Sequence, residues 1–326
     1  MIVVAGENLI DLIVDEHGHV LASAGGGPFN VARTIARLGV ASTFLGRLSR
    51  DHFGQMLRHR LERDGVDIAL PEGLEAPSAL AVVDVDAEGT PRYRFHLSGT
   101  AAFELDTASA LAVLRSAPAA LHVGSLGLAI DPMATSLERL VDELPATALL
   151  LVDPNCRPDA IGDRVAYETR LARILRRADL VKASIEDLEY LFPTATRDDA
   201  ASGLLALGPA AVVVTDGPRP VRAHLAAGEL VVEVPATNVV DTVGAGDAFG
   251  GTMLAWWLAH GLGRTDLARS ELLGAALTTA AAAAAITCER SGADPPTADE
   301  LDRRSSSSWT DGCEDPASAA VDRVLP

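Results

Sequence analysis

Six short apolar runs recur along the chain with helical stretches between them, and this alternation fixes the fold class before any motif is read. They are "MIVVAG" (1–6), "STFLGRL" (42–48), "ALHVGSL" (120–126), "ALLLVDP" (148–154), "DLVKAS" (179–184) and "AVVVTDG" (211–217). Continuous apolar runs of this length, rather than strict alternation, predict strands covered on both faces, as in a parallel sheet. Between them "FNVARTIARLG" (29–39), "FGQMLRHRLERDG" (53–65), "MATSLERLVDEL" (133–144) and "RVAYETRLARILRRA" (164–178) read as helices, several of them stopped by Gly. The expectation is an α/β fold with a doubly wound, mostly parallel sheet flanked by helices.

Two stretches break the rhythm. "LIVDEHGHVLASA" (12–24) reads as a strand pair, and "SALAVVDVDAEGTPRYRFHLS" (78–98) alternates apolar and polar residues around a turn. Both predict a small, half-exposed antiparallel sheet that covers the site as a lid. The chain of 326 residues is long enough for one large domain, here residues 1–301. Residues 302–326, rich in Ser, Asp and Pro without periodicity, predict a loose tail.

A formal net charge of −18 argues against a nucleic acid or an anionic membrane as partner, because both require a patch of Lys and Arg. Three separated cysteines without a CxxC pair fit a reducing compartment. The apolar N-terminus lacks a basic leader and a cleavage site, so it reads as a core strand. "LLGAALTTAAAAAAIT" is mostly Ala and too short to span a bilayer, so a soluble helix and a cytoplasmic location are expected.

Chemistry concentrates in two glycine clusters. "VVEVPATNVVDTVGAG" reads as a strand and turn, and "DAFGGTMLAWWLAHGL" continues as a helix. The unpaired N–H groups of Gly244, Ala245 and Gly246 then face outward at a helix N-terminus and form an anion hole, with Asp247 beside it. Gly250 and Gly251 keep the next turn slim, as a bulky ligand there would require. Taken alone, Asp247 also reads as a first-turn acid that complements the helix dipole. The second cluster, "GGGPFNVARTIARLG" (25–39), opens another helix and carries the amide of Asn30, suited to hydroxyls. Neither cluster spells a Walker A loop or GxGxxG.

In this order and at this separation, the two clusters resemble the paired signatures of the ribokinase-like, phosphofructokinase-B carbohydrate kinases, over about residues 1–300. "GENLIDLI" and "FNVA" are most similar to fructokinases and related hexose or ketose kinases. The resemblance implies transfer of the γ-phosphoryl group of ATP to a sugar hydroxyl, with Asp247 taking the hydroxyl proton and the N–H groups of Gly244, Ala245 and Gly246 holding phosphoryl charge.

It further implies sugar contacts from Asp11, Gly26 and Asn30. "VDPNCRP" (152–158) matches a strand end that faces the site, with Arg157 placed to pair with phosphate oxygens. "VKASIEDLEYL" (181–191) matches the segment that positions Mg²⁺ through water, with Ser184 in place of Asn on the ATP side, Asp187 in place of Glu, and Glu186 adjacent. "VTDGPRP" (214–220) matches the nucleotide loop through Thr215 and Gly217, with Asp216 where an apolar residue is common and Pro220 where a second glycine is usual. "AITCERSGADPP" (285–296), with Asp241 and Val243, matches a site for K⁺.

Substrate choice falls to the lid, which would bring Tyr93, Arg94, His96 and Phe103 near the pocket. An inward Arg94 would favour a keto-deoxy sugar acid. Fructose, 2-keto-3-deoxygluconate, ribose and nucleosides therefore all stay open as acceptors. So does a catalytically weak sugar- or nucleotide-sensing protein, motivated by Ser184, Asp187 and Pro220. By analogy with the family, the lid would also mediate a homodimer.

Overall fold

All six apolar runs form strands in the computed structural model, which describes residues 1–14, 17–85 and 91–304. The strands are β1 (Ile2–Ala5), β2 (Leu9–Val14), β3 (Val20–Gly25), β4 (Ser42–Leu45), β5 (Asp67–Ile68), β6 (Leu80–Val85), β7 (Pro91–His96), β8 (Ala120–Gly124), β9 (Leu149–Asp153), β10 (Leu180–Ser184), β11 (Ala211–Asp216), β12 (Arg219–Leu225) and β13 (Gly228–Val232). Nine of them make one sheet in the order β13-β12-β11-β10-β9-β8-β1-β4-β5. It is parallel from β11 to β5 and antiparallel only where β12 and β13 join as a hairpin.

Both faces of this sheet are covered, as continuous apolar strands require. Along β1, Ile2 and Val4 enter one core while Val3 and Ala5 enter the other. The first core also holds α1 (Gly27–Arg37) and two long helices that follow β13, and it buries Trp256 and Trp257. On the opposite face pack the helices over Met133–Asp142 and Arg164–Leu175.

The remaining four strands form the lid, in the order β3-β2-β6-β7. Pairs β2–β3 and β6–β7 are antiparallel hairpins, but β2 and β6 run parallel, which corrects the expectation of a wholly antiparallel sheet. A parallel neighbour needs a crossover, and here residues 26–79 of the main domain supply it.

The alanine-rich run extends further than the sequence reading allowed, to a 19-residue helix Ser270–Cys288. It is apolar and long enough to cross a membrane by length and composition, yet just over half of it is buried, packed on the helix Ala245–Ala259 and on β13. Residues 302–304, placed in the tail by sequence, end a short helix Ala298–Arg304; the rest of the tail lies outside the described residues.

Candidate active site

A cleft of about 480 Å³ opens at the carboxyl ends of the central strands. Its floor is the main sheet and its roof is the lid, which contributes Asp11, Ala81 and Phe95. Open α/β sheets bind ligands at this edge. Gly26 and Asn30 reach it from the start of α1, Asn155 and Arg157 from the loop after β9, and Gly244, Gly246 and Asp247 from the helix Ala245–Ala259. The cleft thus gathers every residue assigned above to the sugar or to the proton transfer.

Asp247 sits in the first turn of its helix, half-buried, with Oδ2 accepting 2.9 Å from the Asn30 amide, 217 residues away. Burial raises its pKa, opposed by the Asn30 hydrogen bond and the charges of Lys182 and Arg157. The contact requires the two helices to approach closely. At Gly251 an added Cβ would lie 2.9 Å from Thr34 Cβ, so this glycine serves helix packing, not ligand access as its sequence position implied.

Gly244 caps the helix in the left-handed region, at φ 78°. The N–H groups of Gly244 and Gly246 have no hydrogen-bond partner among the described residues, whereas Ala245 donates to the Thr242 carbonyl at 3.2 Å. Two of the three expected anion donors are therefore free. Gly244→Ala combines a left-handed alanine, a strain of about 1–2 kcal/mol, with a Cβ only 2.5 Å from Ala293 Cβ. Turnover should fall at least about tenfold while calorimetric sugar affinity holds; an unchanged kcat would remove this turn from the chemistry.

Burial raises the pKa of three carboxyls in and around the cleft. Glu7 is pushed up to about 7 although it accepts 2.8 Å from the Gly127 N–H; burial and the charge of Asp247 push Asp11 to about 6; Asp153 also rises to about 6, again mainly through burial. Between 4.5 and about 7 the folded state keeps the Glu7 proton that the unfolded chain has lost, so its contribution to stability falls as pH rises through that window. His122, buried and pushed down to about 3, acts in the opposite sense below 6.5. Comparison with Glu7→Gln cancels everything but Glu7. The variant should gain roughly 3 kcal/mol on the wild type between pH 5 and 8, read by urea unfolding; a constant difference would mean Glu7 ionises normally.

On the nucleotide side the structure places the expected residues elsewhere than in this cleft. Ser184 caps the helix Ile185–Leu191, accepting 3.2 Å from Asp187 N–H, and Asp187 closes a capping box by accepting 2.7 Å from Ser184 N–H. The other Asp187 oxygen accepts 2.6 Å from Cys156 N–H. Glu186 is exposed. Thr215 is the penultimate residue of β11, and Gly217 turns the chain into β12 with open space around it. Asp216 between them is taken by Arg197 at 2.8 Å and Arg219 at 2.6 Å, which accounts for an acid in this loop. Asp241 accepts from Val243 N–H at 3.0 Å and Gly292 N–H at 2.8 Å, joining the turn before the anion hole to the loop after Cys288.

Sequence reasoning missed Glu7, Ser125, Lys182 and Phe95, all of which line the cleft. Lys182 had a signal: a charged residue inside an apolar strand run is rarely buried without a task. For the lid the phase was undecidable. The structure turns Phe95 to the cleft and leaves Arg94 and His96 exposed, while Phe103 lies in the core; the Tyr93 side chain lies outside the described residues.

A doubly wound sheet whose lid closes over an acid at a glycine-rich helix start is the arrangement of the ribokinase-like enzymes. The pfkB family carbohydrate kinases match residues 1–300, and the chain belongs to that family. A fructokinase of Klebsiella pneumoniae is 34% identical over 292 residues, 85% of this chain and 92% of its own. The solved fructokinase of Xylella fastidiosa with bound ATP superposes with a TM-score of 0.84 at 28% identity, over 94% of this chain and 98% of that one. A double mutant of Vibrio cholerae O395 fructokinase, solved with fructose, ADP and potassium ion, gives 0.77 at 26% identity, over 90% and 93%.

Proposed function

We propose that this carbohydrate kinase is a fructokinase, in which Asp247 takes a proton from a fructose hydroxyl as that oxygen attacks the γ-phosphorus of ATP. The bond between the γ-phosphorus and the bridging oxygen breaks, ADP leaves, and the N–H groups of Gly244 and Gly246 hold charge on the phosphoryl oxygens. The observation that carries this reading is the half-buried Asp247 carboxylate, aligned by Asn30 beside free N–H donors in a cleft rich in hydroxyl acceptors. A weak base suffices, because the loose transition state releases the proton late.

Glu7 and Asp11 favour a neutral polyol over a sugar acid, whose carboxylate would face two carboxyls. The inward Phe95 and exposed Arg94 support the same choice. The Ser184 and Asp187 departures, which motivated a sensing protein, form a complete capping box instead.

Both Asp187 oxygens hold backbone N–H groups, so the residues present fit Mg²⁺ only through water. When bound, Mg²⁺ neutralises charge on the β- and γ-phosphates. The Asp241–Gly292 tie brings together the two segments that would hold K⁺. Free thiols at Cys156 and Cys288 support a cytoplasmic location, and exposed Val20 and Leu21 on β3 support a homodimer through the lid.

The test is coupled ADP release with Mg-ATP over fructose, tagatose, ribose, 2-keto-3-deoxygluconate and adenosine. Fructose should give the highest kcat/KM. Preference for 2-keto-3-deoxygluconate or adenosine would overturn the assignment.

A further inference from the structure

Lys182, on β10, is 4% exposed and stands in the cleft wall. Its Nζ donates to Asp153 Oδ2 on β9 at 2.9 Å, the one hydrogen bond it makes among the described residues although an ammonium carries three N–H donors. Asp153 Oδ1 is also buried without a partner among the described residues. A buried ammonium is costly unless its remaining donors are used. Burial alone would neutralise it, but Asp153, Asp187 and Asp247 hold the proton on and leave it charged.

Its position points to a use for those donors. The ladder between β10 and β9 ends at Val181 and Val152, so Lys182 and Asp153 lie where the strands part at the carboxyl edge. Nζ stands 3.0 Å from the point that a Cβ on Gly246 would occupy, so it packs against the glycine that carries one of the two free N–H groups. Arg157, the other cation of the cleft, is exposed and bonded to its own loop, to the carbonyls of Asn155 and Cys156. No Walker A lysine exists elsewhere in the chain.

We propose that Lys182 is a catalytic residue whose ammonium binds an oxygen of the phosphoryl group in transit, together with the N–H groups of Gly244 and Gly246. The inference rests on phosphoryl transfer at Asp247. Lys182 keeps its protons throughout; the hydroxyl proton goes to Asp247 and the broken bond's electron pair leaves with ADP. A compact ammonium held beside Gly246 suits charge spread over three oxygens better than either backbone donor alone.

Lys182→Met keeps the stem and removes the charge. With fructose and Mg-ATP, kcat should fall by about 10²- to 10³-fold, with KM for fructose within about threefold. Calorimetric affinity for ADP with aluminium fluoride, which mimics the phosphoryl group in transit, should fall by a similar factor while affinity for ADP alone and fructose alone holds. Methylammonium should restore part of the turnover of Lys182→Ala. Where the Met variant does not fold, Lys182→Met with Asp153→Asn removes both charges together, and Asp153→Asn alone is its control. A parallel loss of affinity for all three ligands, or a lower melting temperature with kcat intact, would show a structural tie between strands and overturn the proposal. Wild type that shows the Lys182-dependent analogue binding yet fails to phosphorylate fructose would overturn the substrate reading alone.

Discussion

Asp247→Asn is expected to abolish most turnover, by about 10²- to 10⁴-fold, while fructose affinity stays within about threefold and the melting temperature holds or rises. The substitution is isosteric, and its amide oxygen still accepts from Asn30, so the geometry that joins the two helices survives. What it removes is a negative charge that burial disfavours. Removing such a charge relieves a desolvation cost, which is why an active-site acid of this kind is bought at some expense of stability. The same raised pKa predicts that wild-type kcat falls toward acid pH with a midpoint above the ordinary Asp range, a limb absent from the residual rate of the variant. Stopped turnover with intact sugar binding places Asp247 in the chemical step. Turnover unchanged in the variant would sink the role, and joint loss of binding and stability would reduce Asp247 to a helix cap.

The legibility of this molecule follows the range of the interactions involved. The six core strands were readable because burial on both faces leaves a continuous apolar run in the local sequence. The β12–β13 hairpin was not read, since Arg222, His224 and Glu229 break its apolar pattern at an exposed sheet edge. The parallel β2–β6 pairing depends on a crossover through residues 26–79 and leaves no local trace.

Asn30 and Asp247 were readable because glycine clusters announce helix starts, whatever brings them together. Their hydrogen bond was not, since it depends on Gly251 meeting Thr34 across two helices. Lys182 lay inside a quoted motif and was passed over in favour of Ser184 and Asp187, which turn out to cap a helix. Phe95 was passed over for its neighbours because a period of two shows that residues alternate, not which face they take.

Asp64→Leu is expected to cost about 3–5 kcal/mol, a fall in melting temperature on the order of 10 °C, without touching any ligand. The Asp64 side chain is 4% exposed and accepts from Arg33 Nε at 2.6 Å, with Arg37 at 3.3 Å and Arg60 at 3.6 Å around the same carboxylate. Arg33 is 1% exposed, and its charge is disfavoured by burial and by its two arginine neighbours, with Asp64 as the compensating partner. Loss of the acid therefore leaves the buried Arg33 guanidinium without its carboxylate, whereas Arg37 and Arg60 keep Asp294 and Glu300 as partners. The damage should reach the site, because Arg33 Nη1 donates to the Ala293 carbonyl at 2.8 Å and lies 3.4 Å from Asn30 Oδ1, and Ala293 packs on Gly244. The double variant Arg33→Met with Asp64→Leu should recover at least half of the lost stability, since replacing both partners of a buried pair by apolar groups is close to neutral. Urea unfolding of wild type, both single variants and the double variant gives the coupling directly. Additive losses across the cycle would mean that Asp64 acts through Arg37 and Arg60 and that the buried pair contributes nothing of its own.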